Sequence, residues 1–291
     1  MRVPLFLTYT YEWDYNSRSI KDFLLLAART VLKAENREMP DGSKAHAPCA
    51  PGVENIITEE YTMAKIIPIE EAVKLIPDGA SVMFGGFLGC GSAHKFIDAL
   101  SKSGVKDLTI IANDGSIHGG PLGEDFYGIA KLIHNKQVKK LIASHVGLNP
   151  EVATQSMVDG TLEVVLLPQG SLAEMIRAGG AGLGGVLTPT GVGTIIEESP
   201  YCLGKQTVNG RDYLLMAPLH ADFAVIGGYK IDKAGNVWYK GSTSNFNIVM
   251  ATAADTVIAE GENIVEVGEI APEDVRTYGV LVDYIVEGGL N

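Results

Sequence analysis

The chain has 291 residues, 46% hydrophobic and 20% charged, the balance of a globular protein with room for more than one domain. A formal net charge of −12 argues against nucleic acid as partner, because phosphate binding needs clustered Lys and Arg. No stretch of about 18 consecutive apolar residues is present, so no membrane span is expected. The three cysteines Cys49, Cys90 and Cys202 form neither a metal-ligand spacing nor a disulfide framework, which fits a cytoplasmic location.

In chain order, the first segment stands apart. Residues 1–62 hold only Gly42 and Gly52 of the 34 glycines, but many aromatics, among them Phe6, Tyr9, Tyr11, Trp13 and Tyr15. Residues 20–38 read as a helix with Leu24, Ala27, Ala28, Val31 and Leu32 on one face, and 40–52 as a Pro/Gly linker. The start resembles neither a secretory signal nor a mitochondrial presequence. Met63 opens a natural-looking start, and codons for Glu59 and Glu60 can spell a purine-rich ribosome-binding site. Residues 1–62 are therefore expected to be an atypical extension, either a translated upstream region or an arm, with one α/β domain over 63–291.

From Pro68 the pattern alternates. A short helix over 68–76 precedes a strand over 81–84, a glycine loop and a helix over 94–101. Strands are predicted over 108–112, 141–146 and 162–167, and helices over 126–135, 150–158 and 171–178. Short Val/Ile/Leu runs bounded by turn residues are the pattern of strands buried on both faces of a parallel sheet with crossover helices. Beyond Gly179, residues 206–215 and 229–239 read as hairpins. Strands over 223–226, 256–259 and 280–286 and a helix near 246–254 complete an open, mostly parallel α/β sheet with flanking helices.

The sharpest local feature is Asp78-Gly-Ala-Ser-Val-Met-Phe-Gly-Gly-Phe-Leu-Gly-Cys-Gly, a strand running into glycines 85, 86, 89 and 91 ahead of a helix. Open parallel sheets bind ligands at such points, where free N–H groups and a helix dipole favour anions. The bland alternative is a tight turn that merely needs glycine. A dinucleotide fingerprint runs G-x-G-x-x-G; here the order is reversed, so Asp114 downstream does not complete one. The phosphate loop G-x-x-x-x-G-K-[ST] is also absent.

Residues 78–91 resemble the signature of the family I CoA-transferases, an Asp-Gly, an apolar run, then Gly-Gly-Phe-x-x-x-Gly. Further blocks fit in order: Leu108–Asp114, Lys140–Gly147, Pro168–Glu174, Ile176–Gly182, Thr188–Thr194, Asn245-Phe-Asn and Val280–Ile285. The resemblance covers residues 63–291 and none of 1–62, and leans toward the α (A) subunits of bacterial short-chain enzymes acting on acetoacetate, butyrate and acetate. It implies the CoA-transferase (ribose-5-phosphate-isomerase-like) fold. It also implies covalent catalysis: a glutamate attacks the acyl-CoA to form an acyl-glutamyl anhydride, CoA thiolate converts this to a glutamyl-CoA thioester, and the acceptor acid attacks in turn.

In the family that glutamate lies in a Glu-x-Gly context of the β half. Glu266-Val-Gly and Glu287-Gly-Gly fall instead in blocks aligned with the α half, and are read as surface or strand-end residues. The resemblance thus implies no catalytic nucleophile in this chain, a β-subunit partner in an α2β2 assembly, and CoA as substrate with no permanently bound cofactor. The binding residues it implies are Gly85, Gly86, Phe87, Leu88, Gly89, Cys90 and Gly91, with Asn113 and Gln169 at strand ends. Gln169 is the expected donor to the oxyanion; Asn113 is equally readable as a turn cap. Lys95 can meet a phosphate or stay solvated, Cys90 reads as a small apolar filler, and His145 beside Ser144 lacks a triad carboxylate. Ala93 stands where the signature has Pro, and Tyr278 where the last block commonly has Pro. A ligand-binding module or a sugar-phosphate isomerase on the same architecture are the alternatives.

Overall fold

Alternation of side chains along parallel strands divides this protein's core into two faces. The computed structural model of the protein describes residues 64–121 and 123–288. The chain divides between Tyr61 and Thr62, and the described residues all belong to the second unit. The readings for residues 1–62, Cys49 included, lie outside the described residues.

Eight parallel strands form the sheet: β1 (Lys65–Ile66), β2 (Ser81–Phe84), β3 (Leu108–Ala112), β6 (Val138–Ala143), β7 (Glu163–Leu166), β11 (Ala221–Asp232), β13 (Ala254–Val265) and β14 (Tyr284–Glu287). Their spatial order is β1-β14-β13-β11-β2-β3-β6-β7, and a short β12 (Val237–Trp238) pairs antiparallel with β11. Met83, Ile111, Ile142, Ala224, Ile226 and Ala259 point to one face, while their neighbours Val82, Phe84, Ile110, Leu141, Val225 and Ile258 point to the other. That is the period-2 partition of a strand buried on both sides. The first face packs against Leu172, Met175 and Ile176 of α5 (Gln169–Gly180) and Val249 and Met250 of α6 (Asn247–Met250). The second packs against α1 (Ile69–Val73), α2 (His94–Lys102) and α3 (Ala130–His134), with Phe96, Ile97, Leu100, Leu132 and Ile133 fully buried. Each such side chain contributes about 1.5–3 kcal/mol by leaving water. The expected α/β class, an open and mostly parallel sheet with flanking helices, is the observed one.

Several boundaries differ. The helix expected over 126–135 is helical only from Ala130, because Phe126–Tyr127 (β5) pairs with Ile117–His118 (β4) in a hairpin. The strand expected from 141 starts at Val138, and its Lys140 pairs with Glu163 on β7 at 2.9 Å. The helix expected over 150–158 is α-helical over Pro150–Ala153 (α4) and widens into a π turn over Thr154–Val158. Strands β11 and β13 run for 12 residues each, far beyond 223–226 and 256–259; Gly227, Gly228, Glu260 and Gly261 interrupt the apolar run that marks a strand. The last strand is only Tyr284–Glu287, after a 3₁₀ turn at Gly279–Leu281. The hairpin over 206–215 is present, with Val208 opposite Arg211. It joins β9 (Cys202–Val208) to β10 (Arg211–Met216), and with β8 (Val186–Thr188) these form a separate three-stranded sheet.

One consequence of strand order matters for function. Along one direction from β2 the chain lays down β3, β6 and β7; along the other it returns as β11, β13 and β14. The boundary between β2 and β11 is a topological switch point, where crossovers diverge to opposite sides and leave a crevice at the strand C-termini.

Candidate active site

The glycine loop leaves β2 at that crevice. Gly85 N donates to Val225 O on β11 at 3.0 Å, so the loop starts tied to both strands. It then closes a tight turn: Phe87 N donates to Cys90 O at 3.1 Å and Cys90 N to Phe87 O at 2.9 Å. Leu88 (φ 48°) and Gly89 (φ 82°) occupy its two central positions, both left-handed. Leu88 is held in that uncommon conformation by Asp114, whose Oδ2 accepts its N–H at 2.8 Å. Gly89 must be glycine for a second reason, since an added Cβ would stand 2.1 Å from the Tyr127 ring.

Three clamps hold the loop and the helix start that follows it. Ser92 Oγ donates to Gly85 O at 2.9 Å. Asn247, fully buried, donates from Nδ2 to Gly91 O (2.9 Å) and Thr243 O (2.7 Å), and its Oδ1 accepts from Gly227 N (3.1 Å). Glu260 on β13 accepts from Phe96 N (2.7 Å) and Lys95 N (3.3 Å), the free donors of the first turn of α2. Opposite, His94 stacks on Tyr127 with ring centroids 4.5 Å apart, and its Nε2 donates to Gly89 O at 2.8 Å. Burial pulls the His94 pKa below its usual value. Together these groups bound an open cleft of about 530 Å³ lined by the loop, His94, the β4–β5 hairpin, Thr243, Glu260 and Glu262. Among the described residues, the N–H groups of Gly86, Gly89 and Gly91 have no hydrogen-bond acceptor; Gly89 and Gly91 line the cleft, and Gly86 is buried.

Residues 66–288 match the family described as coenzyme A transferase. The chain belongs to the coenzyme A transferase family. An acetoacetyl-CoA:acetate/butyrate CoA transferase alpha subunit of Clostridium acetobutylicum is 50% identical over 224 residues, 77% of this chain and 98% of that one. An acetate CoA-transferase subunit alpha of Escherichia coli K12 is 45% identical over 224 residues, 76% of this chain and 96% of that one. The glutaconate coenzyme A-transferase of Acidaminococcus fermentans superposes with a TM-score of 0.64 at 20% identity, covering 78% of this chain and 76% of that one. An acyl-CoA transferase of E. coli O157:H7 superposes with a TM-score of 0.68 at 22% identity; this chain spans 47% of its length. At such identities the two structures speak for the fold alone.

Within this CoA-transferase chain, Leu88, Gly89, Cys90 and Gly91 line the cleft. Gly85 and Gly86 are buried behind them, and Phe87 is exposed. Asn113 and Gln169 meet each other, with Gln169 Nε2 donating to Asn113 Oδ1 at 2.6 Å, and reach the loop through Asp114; neither lines the cleft. Lys95 Nζ reaches Gly288 O at 3.3 Å instead of standing free. His145 is exposed, while Ser144 Oγ donates to Asn113 O at 2.7 Å. Glu266 is exposed and paired with Lys233, and Glu287 is exposed at the end of β14. The glycines of 179–185 lie elsewhere: Gly179 lets α5 approach the Leu219 backbone, where a Cβ would stand 1.8 Å from Leu219 O.

Sequence reasoning missed Asp114, Asn247, Glu260, His94 and Tyr127 as site residues. In the sequence Asp114 fails as a nucleotide partner and, like Asn247, lies inside a matching block that attaches no role to it. Glu260 carried no sequence signal, because its environment comes from a helix far away in the chain.

Glu260 makes a pH prediction. Burial pushes its carboxyl from 4.5 up to about 7, against the opposing pull of the Phe96 and Lys95 N–H groups and the Lys95 charge; Asp98 adds to the rise. The folded-state pKa lies above the unfolded one, so the stability present below pH 4.5 is lost as pH rises through about 7. That loss is roughly 3 kcal/mol at most. Glu260→Gln, which cannot ionise, is expected to lose less stability between pH 5 and 8 than the native protein, measured by denaturant unfolding at both values. Parallel losses in the two proteins would contradict the assignment.

Proposed function

We propose that this chain is the α half of a short-chain CoA-transferase, moving CoA between an acyl-CoA and a short acid such as acetoacetate, butyrate or acetate. The observation that carries the reading is the pair of uncommitted N–H groups, of Gly89 and Gly91, on a glycine loop that lines an open cleft at the switch point. Such donors stabilise charge that develops on a thioester oxygen as it is attacked, without reorganising during the reaction. The small side chains let an acyl-CoA approach the backbone, and the Asn247, Glu260 and Asp114 clamps keep the donors in place.

The nucleophilic glutamate comes from the β subunit. Glu266 and Glu287 stand exposed, with Glu266 bound to Lys233, and the Glu260 carboxylate is committed to the first turn of α2. Two relatives named as alpha subunits support a β partner, and an α2β2 assembly in the cytoplasm is part of the proposal. CoA passes through as substrate with no resident cofactor, and residues 63–291 are the working unit. Among the described residues no helix is long and apolar enough to cross a membrane. Membership of the family favours transfer over the ligand-binding and isomerase alternatives.

The test is CoA transfer from acetyl-CoA to butyrate or acetoacetate, measured with and without the β subunit. Activity is expected only with the partner. Transfer by this chain alone would overturn the nucleophile in trans and direct attention to Glu262, the exposed carboxylate in the cleft wall.

A further inference from the structure

Asp114 does not line the cleft, yet it is only 5% exposed and its carboxylate collects three donors. Oδ2 accepts from Leu88 N at 2.8 Å and from Asn113 Nδ2 at 2.7 Å, and Oδ1 accepts from Ser116 N at 2.7 Å. An ionised carboxylate offers only acceptors. Its hold on Nδ2 therefore decides which way the Asn113 amide is turned, and leaves Oδ1 of that amide facing Gln169. An amide oxygen likewise only accepts, so the 2.6 Å contact turns Gln169 Nε2 toward Asn113. The second N–H of Gln169 is left for another partner, in an orientation inherited from Asp114. The backbone of Asn113 is pinned as well, by Ser144 Oγ on its carbonyl at 2.7 Å.

One carboxylate oxygen thus serves as a common reference for two groups far apart in the chain. It holds the left-handed Leu88 at the centre of the glycine turn, and through Asn113 it orients the amide of Gln169. We propose that Asp114 is a positioning residue that sets the glycine turn and the Gln169 amide in one register, through the chain Leu88–Asp114–Asn113–Gln169. The proposal rests on the CoA-transfer reading. The role needs an acceptor-only group of this length: alanine removes the reference atom, and glutamate moves it by one methylene.

The experiment is a double-mutant cycle in the assembled enzyme, with kcat and the KM for acyl-CoA measured for wild type, Asp114→Ala, Gln169→Ala and the pair. Removal of one donor of this kind typically costs about 100-fold in kcat. Each single variant is expected to lose about that much in kcat with a much smaller change in KM. The pair is expected to be no worse than the poorer single, because residues acting as a unit are not additive. If Asp114→Ala does not assemble, Asp114→Glu takes its place in the same cycle, with a loss in kcat expected in the wild-type background and none beside Gln169→Ala. Multiplying losses in the two backgrounds, or a wild-type kcat for the Asp114 variant, would overturn the proposal while leaving the transfer reading intact. A wild-type enzyme that moves no CoA to acetate, butyrate or acetoacetate sinks that reading and this proposal together, and shows it before any variant is made.

Discussion

Valine in place of Gly86 is expected to abolish CoA transfer in an assembled enzyme that otherwise forms normally. Gly86 has φ 124°, a conformation that L-residues rarely adopt, and an added Cβ would stand 2.0 Å from Ser92 Oγ. The backbone strain alone costs about 1–3 kcal/mol. The clash matters more, because Ser92 Oγ is the group that ties down Gly85 O, so relief of one contact breaks the other. The loop over 86–91 then moves, and the uncommitted N–H groups of Gly89 and Gly91 no longer keep their place in the cleft. A displacement of about 1 Å in such a site costs about 100-fold in rate, and a β-branched side chain adds bulk beyond that. The measurement is kcat and the KM for acyl-CoA on complexes verified by size; kinetics equal to wild type would remove the loop from the site.

The second large effect is on stability. Asn247→Ala leaves Gly91 O, Thr243 O and Gly227 N without their buried partner. At about 1–3 kcal/mol for each unsatisfied group, the loss is roughly 3–9 kcal/mol. A domain of this size loses about 2–4 °C per kcal/mol, so Tm is expected to fall by about 6 °C or more. Asn247→Asp tests the cause. It keeps an acceptor for Gly227 N but presents an oxygen to the carbonyls of Gly91 and Thr243, and is expected to be no more stable than the alanine variant. An aspartate variant with the wild-type Tm would show that the two donated bonds do not hold the loop. Activity should fall along with stability in both variants, because the same amide joins the glycine turn to the neighbouring strand.

These two residues mark how far a sequence can be read. Gly86 sits in a contiguous motif, and its requirement for glycine follows from a local turn between a strand and a helix, so the pattern displays it. Asn247 acts on Gly91 across 156 positions, and Glu260 acts on Phe96 across 164. Nothing in the immediate neighbours of either residue records that contact. The element errors have the same origin. Phe126 and Tyr127 look helical by their surroundings, but pairing with Ile117 and His118 makes them a strand. Gly227, Gly228, Glu260 and Gly261 read as breaks in β11 and β13, whereas Gly227 packs against the Gly91–Ser92 backbone, Gly228 and Gly261 make room for Ile231, and Glu260 accepts from the first turn of α2.

By itself, then, the sequence determined the alternation of buried strands with crossover helices, the glycine turn at the end of β2, and the family through its ordered blocks. Each depends on residues close together in the chain: side-chain period, turn chemistry and contiguous motif. Only the tertiary structure decided that β2 and β11 lie side by side, that the crevice between them is the switch point, and that Asp114 and Asn247 converge on the glycine loop while Glu260 holds the helix after it. Those contacts are set by the order in which strands join the sheet, and strand order arises from burying two apolar faces at once, a property of the whole chain and of no single segment.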